Sequence, residues 1–144
     1  MKTITLVQPF ASLVSIGVKT IETRPWPTDY RGPLAIHSGK SVMVVTDPYY
    51  RSLLSSAGLD CEHLPSEKII AIASLIGCEK VTTMKIPCYP QLAFSDFTPG
   101  WYALELTDIR ALSSPIPAKG SDQLWEWKEE LLEESFLNNK STNP

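Results

Sequence analysis

Gly17-Val18-Lys19-Thr20-Ile21-Glu22-Thr23-Arg24-Pro25-Trp26-Pro27, followed by Thr28-Asp29-Tyr30-Arg31-Gly32-Pro33-Leu34-Ala35-Ile36-His37, is the stretch on which the architecture turns. Gly17 suits the left-handed residue that ends a helix. Val18 to Arg24 then alternates apolar and polar residues with the period of a strand. Pro25 and Pro27 lack the amide hydrogen that a paired strand needs, so the strand stops there and Trp26 is held in a stiff loop. Thr28 to Gly32 is turn chemistry. Leu34 and Ile36 alternate with Ala35 and His37 in the next strand, which directs His37 away from the core face. In the first of these strands Thr20, Glu22 and Arg24 share one face, while Lys19 lies in the turn just past the helix stop.

Upstream, Lys2 to Val7 sets Ile4 and Leu6 against Thr3 and Thr5, a strand with one buried face. Pro9 suits a first helical position, and Phe10, Leu13 and Val14 fall on one side of the helix that runs to Gly17. Downstream, Asp47 and Pro48 read as the cap and first residue of a helix that Gly58 stops, with Leu53, Leu54 and Ala57 inward. Lys68 to Ile76 is a β-branched strand, and Gly100 to Arg110 another, with Tyr102, Leu104 and Leu106 on one face. The proline-rich segment between them is expected to be irregular. From Ser121 the spacing of Leu124, Trp127, Leu131 and Leu132 predicts a helix, with Glu126, Glu129, Glu130, Glu133 and Glu134 on its other faces. Because helices do not alternate regularly with strands, a parallel sheet is disfavoured. The expected fold is α+β: a small, curled, mostly antiparallel β-barrel with flanking helices.

The 144 residues fit one domain, read here as residues 1–137 with 138–144 as a frayed tail. A hydrophobic fraction of 43% and a charged fraction of 20% exclude disordered, collagen-like and coiled-coil classes. The uncharged run from Ile69 to Cys78 is far short of the roughly 20 apolar residues that span a bilayer. No membrane association is expected. The start, Met1 to Pro9, meets proline before a signal-peptide core develops, and three cysteines without a C-x-x-C pair suit a reducing compartment, so a cytoplasmic location is expected. Net charge is −3, yet residues 1–51 carry +3 and the remainder −6, so an anionic ligand is expected at the N-terminal part.

Several tempting motifs fail on spacing. Gly39-Lys40-Ser41 resembles the tail of a phosphate-binding loop, but the position of its first glycine is Leu34, and Gly32 is two places too early. Cys61-x-His63 is too isolated to form a zinc site. His37-Ser38 lacks a nucleophile elbow. No metal and no cofactor are expected.

The polar density between Gly17 and Lys40 is the informative feature. An exposed Glu/Arg pair alone is ordinary surface chemistry. Here, however, Lys19, Glu22, Arg24, Trp26, Tyr30, Arg31, His37 and Lys40 fall within one strand-loop-strand unit, and cations interleaved with aromatics are what unpaired nucleic acid requires. The pattern Leu6-x-Gln8-Pro9-Phe10, then Gly17-x-Lys19-x-x-Glu22-x-Arg24-x-Trp26, then Tyr30-Arg31-Gly32-x-Leu34-x-Ile36-His37, closely resembles the ASCH (activating signal cointegrator homology) domain of the PUA-like superfamily. Trp101-Tyr102-Ala103-Leu104, Pro115-Ile116-Pro117, Gly120 and Trp125 are weaker echoes.

The resemblance implies a β-barrel with flanking helices and a cleft beside the Gly17-x-Lys19 helix stop, in a family generally regarded as RNA-binding; RNA or a nucleoside or nucleotide is the expected partner, with Lys19, Glu22, Arg24, Trp26, Tyr30, Arg31, His37 and Lys40 as the binding candidates. Some relatives resemble hydrolases. One branch removes the acetyl group of N4-acetylcytidine with a lysine, a threonine three residues later and a glutamate from a later strand. Lys19 matches that lysine, whereas Glu22 occupies the threonine position. For an enzyme, a nucleoside amidohydrolase or a ribonuclease, Lys19 and Glu22 are the catalytic candidates. Glu22 is the discriminating residue: bound to Arg24 it frees Lys19 for a ligand, and bound to Lys19 it favours binding over catalysis.

Overall fold

Apolar alternation and the glycine stop build the N-terminal elements in the expected order. The structure, a computed structural model, describes residues 1–42 and 45–128. Strand β1 (Lys2–Gln8) leads into helix α1 (Phe10–Ser15), which ends at Gly17 with φ +83°. Pro9 stands at the N-cap of α1, one place earlier than the sequence suggests. There follow β2 (Ile21–Arg24), β3 (Gly32–Val42), α2 (Pro48–Ser56), β4 (Lys68–Lys80), β5 (Tyr102–Pro117) and β6 (Leu124–Glu126). Asp47 caps α2 by accepting from the Tyr49 amide at 2.8 Å, and Leu54 is its buried residue; Ala57, expected inward, is exposed. Residues 81–101 are irregular apart from one 3₁₀ turn, Gln91–Ala93.

The six strands form one sheet in the order β2-β5-β4-β3-β1-β6. Every pairing is antiparallel except β1 with β3, which is parallel because α1 and β2 intervene as a crossover long enough to return the chain in the same direction. Register shifts between Ile69 and Ala71, Ile72 and Ser74, and Leu75 and Gly77 bend β4 against β5. The sheet curls into a half-barrel around Ile4, Leu6, Leu34, Ile36, Leu75 and Leu104, with Ala11 and Val14 of α1 packed into it. The β5 strand continues past Arg110 to Pro117 because Asp108, at φ +49°, interrupts the alternation without ending the ladder. Among the described residues no helix is long and apolar enough to cross a membrane.

The helix expected from Ser121 is corrected: Leu124–Glu126 is a strand paired with β1, with Trp125 opposite Thr3, and Trp127 is buried beside Leu112 and Ile116. Its remaining positions, 129–134, and the tail lie outside the described residues. β6 also covers the second face of β3. His37 does face away from Leu34 and Ile36, but it is only 1% exposed, edge-on to Trp125 at 5.4 Å.

The polar groups around His37 satisfy both of its ring nitrogens. The Trp125 indole can only donate, and does so to Thr5 Oγ1 at 3.0 Å. Burial favours the neutral ring, in which the Thr5 hydroxyl gives its hydrogen to His37 Nδ1 at 3.0 Å and Nε2 donates to the Ala118 carbonyl at 2.6 Å. Burial pushes the His37 pKa down, against the Ala118 hydrogen bond and the Glu67 charge. Gly120 closes the site, since a Cβ there would meet His37 Cε1 at 2.8 Å. With a folded pKa below the unfolded value of about 6.5, the unfolded chain takes up the proton first. Stability is therefore fully present above that value and declines as pH falls through it. Urea unfolding should show a midpoint that drops between about pH 7 and pH 5.5, and His37→Gln should lower the midpoint at pH 7 but flatten this dependence. An equally steep fall in the variant would contradict the neutral assignment.

Candidate functional site

The half-barrel leaves a seam. Among the described residues β6 pairs with β1 only at Lys2–Ile4, so from Thr5 onward that edge of β1 has no ladder partner there, and β2 is the opposite edge of the sheet. A side chain bridges the gap: Arg24 Nη2 donates to the Thr5 carbonyl at 2.6 Å and to Glu22 Oε2 at 3.2 Å. A cleft of about 630 Å³ opens there, with Thr5, Glu22, Thr23, Arg24, Ser95 and the exposed carboxylate of Asp96 as polar lining and Phe10, Phe94 and Trp101 as aromatic lining.

Lys19 lies beneath Glu22 and is fully buried. The glycine turn delivers it, the Lys19 amide closing onto the Leu13 carbonyl at 3.1 Å. Its Nζ donates to the carbonyls of Ile21 and Phe94, each at 2.8 Å, and to Ser95 Oγ, while Glu22 Oε1 stands at 3.3 Å. An ammonium has three hydrogens, and four oxygens surround this one. Burial pushes the Lys19 pKa down; the Glu22 charge and hydrogen bond oppose that, and Arg24 adds to it. Glu22 also accepts from the Thr23 amide at 3.1 Å. One carboxylate thus holds both cations, Lys19 on Oε1 and Arg24 on Oε2, and the two outcomes that the sequence posed as alternatives occur together.

Much of this shell comes from the irregular segment. Gln91 Oε1 accepts from the Thr20 amide at 3.0 Å and Nε2 donates to the Val18 carbonyl at 2.8 Å, clamping the backbone on both sides of Lys19. Phe94, Ser95 and Gln91 were outside the sequence reading, since they sit where no periodicity marks them. Trp101 and Thr5 were read only as strand residues.

The structure brings Lys19, Glu22 and Arg24 together and adds Trp26, whose ring lies 5.9 Å from the Arg24 guanidinium. The other candidates go elsewhere. The Tyr30 hydroxyl donates to the Pro33 carbonyl, and its ring packs on the core. Arg31 donates to the carbonyls of Thr28 and Tyr30 and lines a separate depression with Cys78 and Glu105. His37 and Lys40 line a third depression with Lys119 and Gly120, which meets the cleft only at Thr5. Among the described residues no group of three or more histidines, cysteines and carboxylates is placed to hold a metal ion.

A family model for the ASCH domain matches residues 4–115. The chain belongs to the ASCH domain family. Among solved structures it is similar to ASCH from Zymomonas mobilis, with a TM-score of 0.56 and 16% identity over 95% of this chain and 93% of that one. A tyrosine-to-phenylalanine mutant of the Zymomonas mobilis protein gives a TM-score of 0.54 at 16% identity, covering 98% and 96% of the two chains. A serine-to-alanine mutant gives 0.56 at 19%, covering 94% of each. These likenesses concern the fold. No match is found among curated proteins. Within this ASCH domain the lysine after the helix stop is a saturated, buried group, and the residue three places later is its carboxylate partner.

Removing one partner of a buried ion pair leaves the other uncompensated, at a cost of about 3–5 kcal/mol. Lys19→Met should therefore lower unfolding stability by about that much, and Glu22→Gln by somewhat less because the amide still accepts hydrogen bonds. The double variant should cost clearly less than the two combined. Additive losses in a urea double-mutant cycle would show that the pair is not coupled.

Proposed function

We propose that the seam cleft of this ASCH domain binds an unpaired nucleotide of RNA without turning it over. The observation that carries the reading is the state of Arg24. Its Nη2 is committed to Thr5 and Glu22, but Nε and Nη1 have no hydrogen-bond partner among the described residues, and the residue lines an aromatic cleft. A guanidinium has five N–H donors, so Arg24 retains donors for a phosphate or a base edge. Phe10 and Trp101 supply ring surfaces of the kind against which bases stack, over the buried Phe94. Glu22 supplies carboxylate oxygens toward amino groups of a base.

An amidohydrolase acting on an N4-acetylcytidine-type nucleoside is the second reading. It is favoured by one observation, a lysine whose pKa burial pushes down, next to a cleft that Thr23 lines. A general base needs a free lone pair within reach of its substrate. Lys19 instead has its hydrogens engaged by Ile21, Phe94, Ser95 and Glu22. Reaching a ligand would require breaking that shell.

Fluorescence anisotropy with short single-stranded RNA should show binding at about 50 mM salt that weakens as salt rises. Trp101→Ala should weaken it about 5-fold or more by removing a stacking surface. Arg24→Ala should weaken it further, and Arg24→Lys should restore only part, since a point charge does not reproduce the fork. Absence of binding at low salt would end this reading. N4-acetylcytidine incubated with the protein should be recovered unchanged by chromatography, and accumulation of cytidine would replace binding with catalysis.

A further inference from the structure

The aromatic lining of the cleft does not stop at its rim. Phe94 lines the cleft and stacks on Tyr49, with centroids 6.2 Å apart and planes 4° from parallel. Tyr89 follows, 5.7 Å from Tyr49 and tilted by 34°. The three rings run outward from buried to open: Phe94 is 2% exposed, Tyr49 half-buried and Tyr89 64% exposed.

We propose that Phe94, Tyr49 and Tyr89 form a stacking path on which the next base of a single strand lies when its neighbour occupies the cleft. The inference rests on the nucleotide-binding reading and extends it from one nucleotide to a strand. Three observations favour a nucleic-acid strand as the occupant. First, the path is continuous with the cleft through Phe94, which belongs to both. Second, the outermost ring, Tyr89, is open to solvent, and an exposed ring stacks any base, whatever its identity. Third, the path is held in place before anything binds. Tyr49 sits in the capped first turn of α2, its amide on Asp47. The Tyr50 hydroxyl donates to the Ala93 carbonyl, and its ring meets Phe10 edge-on at 5.9 Å. Tyr89 precedes the turn whose Gln91 is bonded to Val18 and Thr20, so the platform is anchored to the same backbone that delivers Lys19. A ring this open contributes little to the core, and its removal leaves the fold intact.

The test compares a nucleoside monophosphate with a four-nucleotide RNA of the same base. Tyr89→Ala should weaken the tetranucleotide about 5- to 150-fold, the span measured for stacked bases, and leave the mononucleotide unchanged. Tyr89→Phe should behave as the unaltered protein. Equal affinity of Tyr89→Ala and unaltered protein for the tetranucleotide would overturn the path while leaving the cleft reading intact. An equal loss for both ligands would also overturn it, since Tyr89 would then support the cleft rather than extend it. Failure of the unaltered protein to bind either ligand would overturn the cleft reading and the path together, and the exposed rings would then fit a protein partner.

Discussion

The buried ammonium of Lys19 is the interaction on which the site depends. Taking a charge out of water costs several kcal/mol unless its hydrogens are satisfied and a counter-charge is close. Here the β2 edge supplies the Ile21 carbonyl, the irregular segment supplies Phe94 and Ser95, and Glu22 supplies the charge. Satisfying Lys19 therefore draws β2 and the irregular segment to the turn that carries it. From there the polar contacts continue. Glu22 holds Arg24, Arg24 reaches across the seam to the Thr5 carbonyl, and the Thr5 hydroxyl joins His37 and Trp125. One chain of hydrogen bonds thus crosses the open side of the half-barrel and ends at β6, where the backbone ladder leaves a gap.

This placement divides labour between the two cations. Lys19 faces inward and is consumed by structure. Arg24 spends one nitrogen on the seam, and its other nitrogens have no hydrogen-bond partner among the described residues. A site built this way is hydrogen-bonded, charged and aromatic, and the lysine beneath it has its hydrogens engaged by Ile21, Phe94, Ser95 and Glu22. Such bonding favours binding because little side-chain freedom remains to be lost.

How much of this was legible in the sequence depends on where each residue's environment comes from. β1, α1, the Gly17 stop and β3 were readable because local period and turn chemistry agree with the final packing. The grouping of Lys19, Glu22 and Arg24 was readable for the same reason, being set within six residues of one turn and strand. β6 was not: Leu124, Trp127 and Leu131 have helical spacing, and only the free edge of β1 makes Leu124–Glu126 a strand. Gln91, Phe94 and Ser95 were invisible because an irregular segment has no period to betray what it touches. Tyr30, Arg31, His37 and Lys40 were near the site in sequence but not in space, since a proline loop and the alternation of β3 distribute them over other faces.

The claim that Lys19 holds the site rather than reacting in it is tested most directly by ¹⁵N NMR of its side-chain Nζ at neutral pH. The account predicts an ammonium resonance with slowed hydrogen exchange that persists when single-stranded RNA is added. A neutral amine at neutral pH, or a rapidly exchanging ammonium, would contradict it.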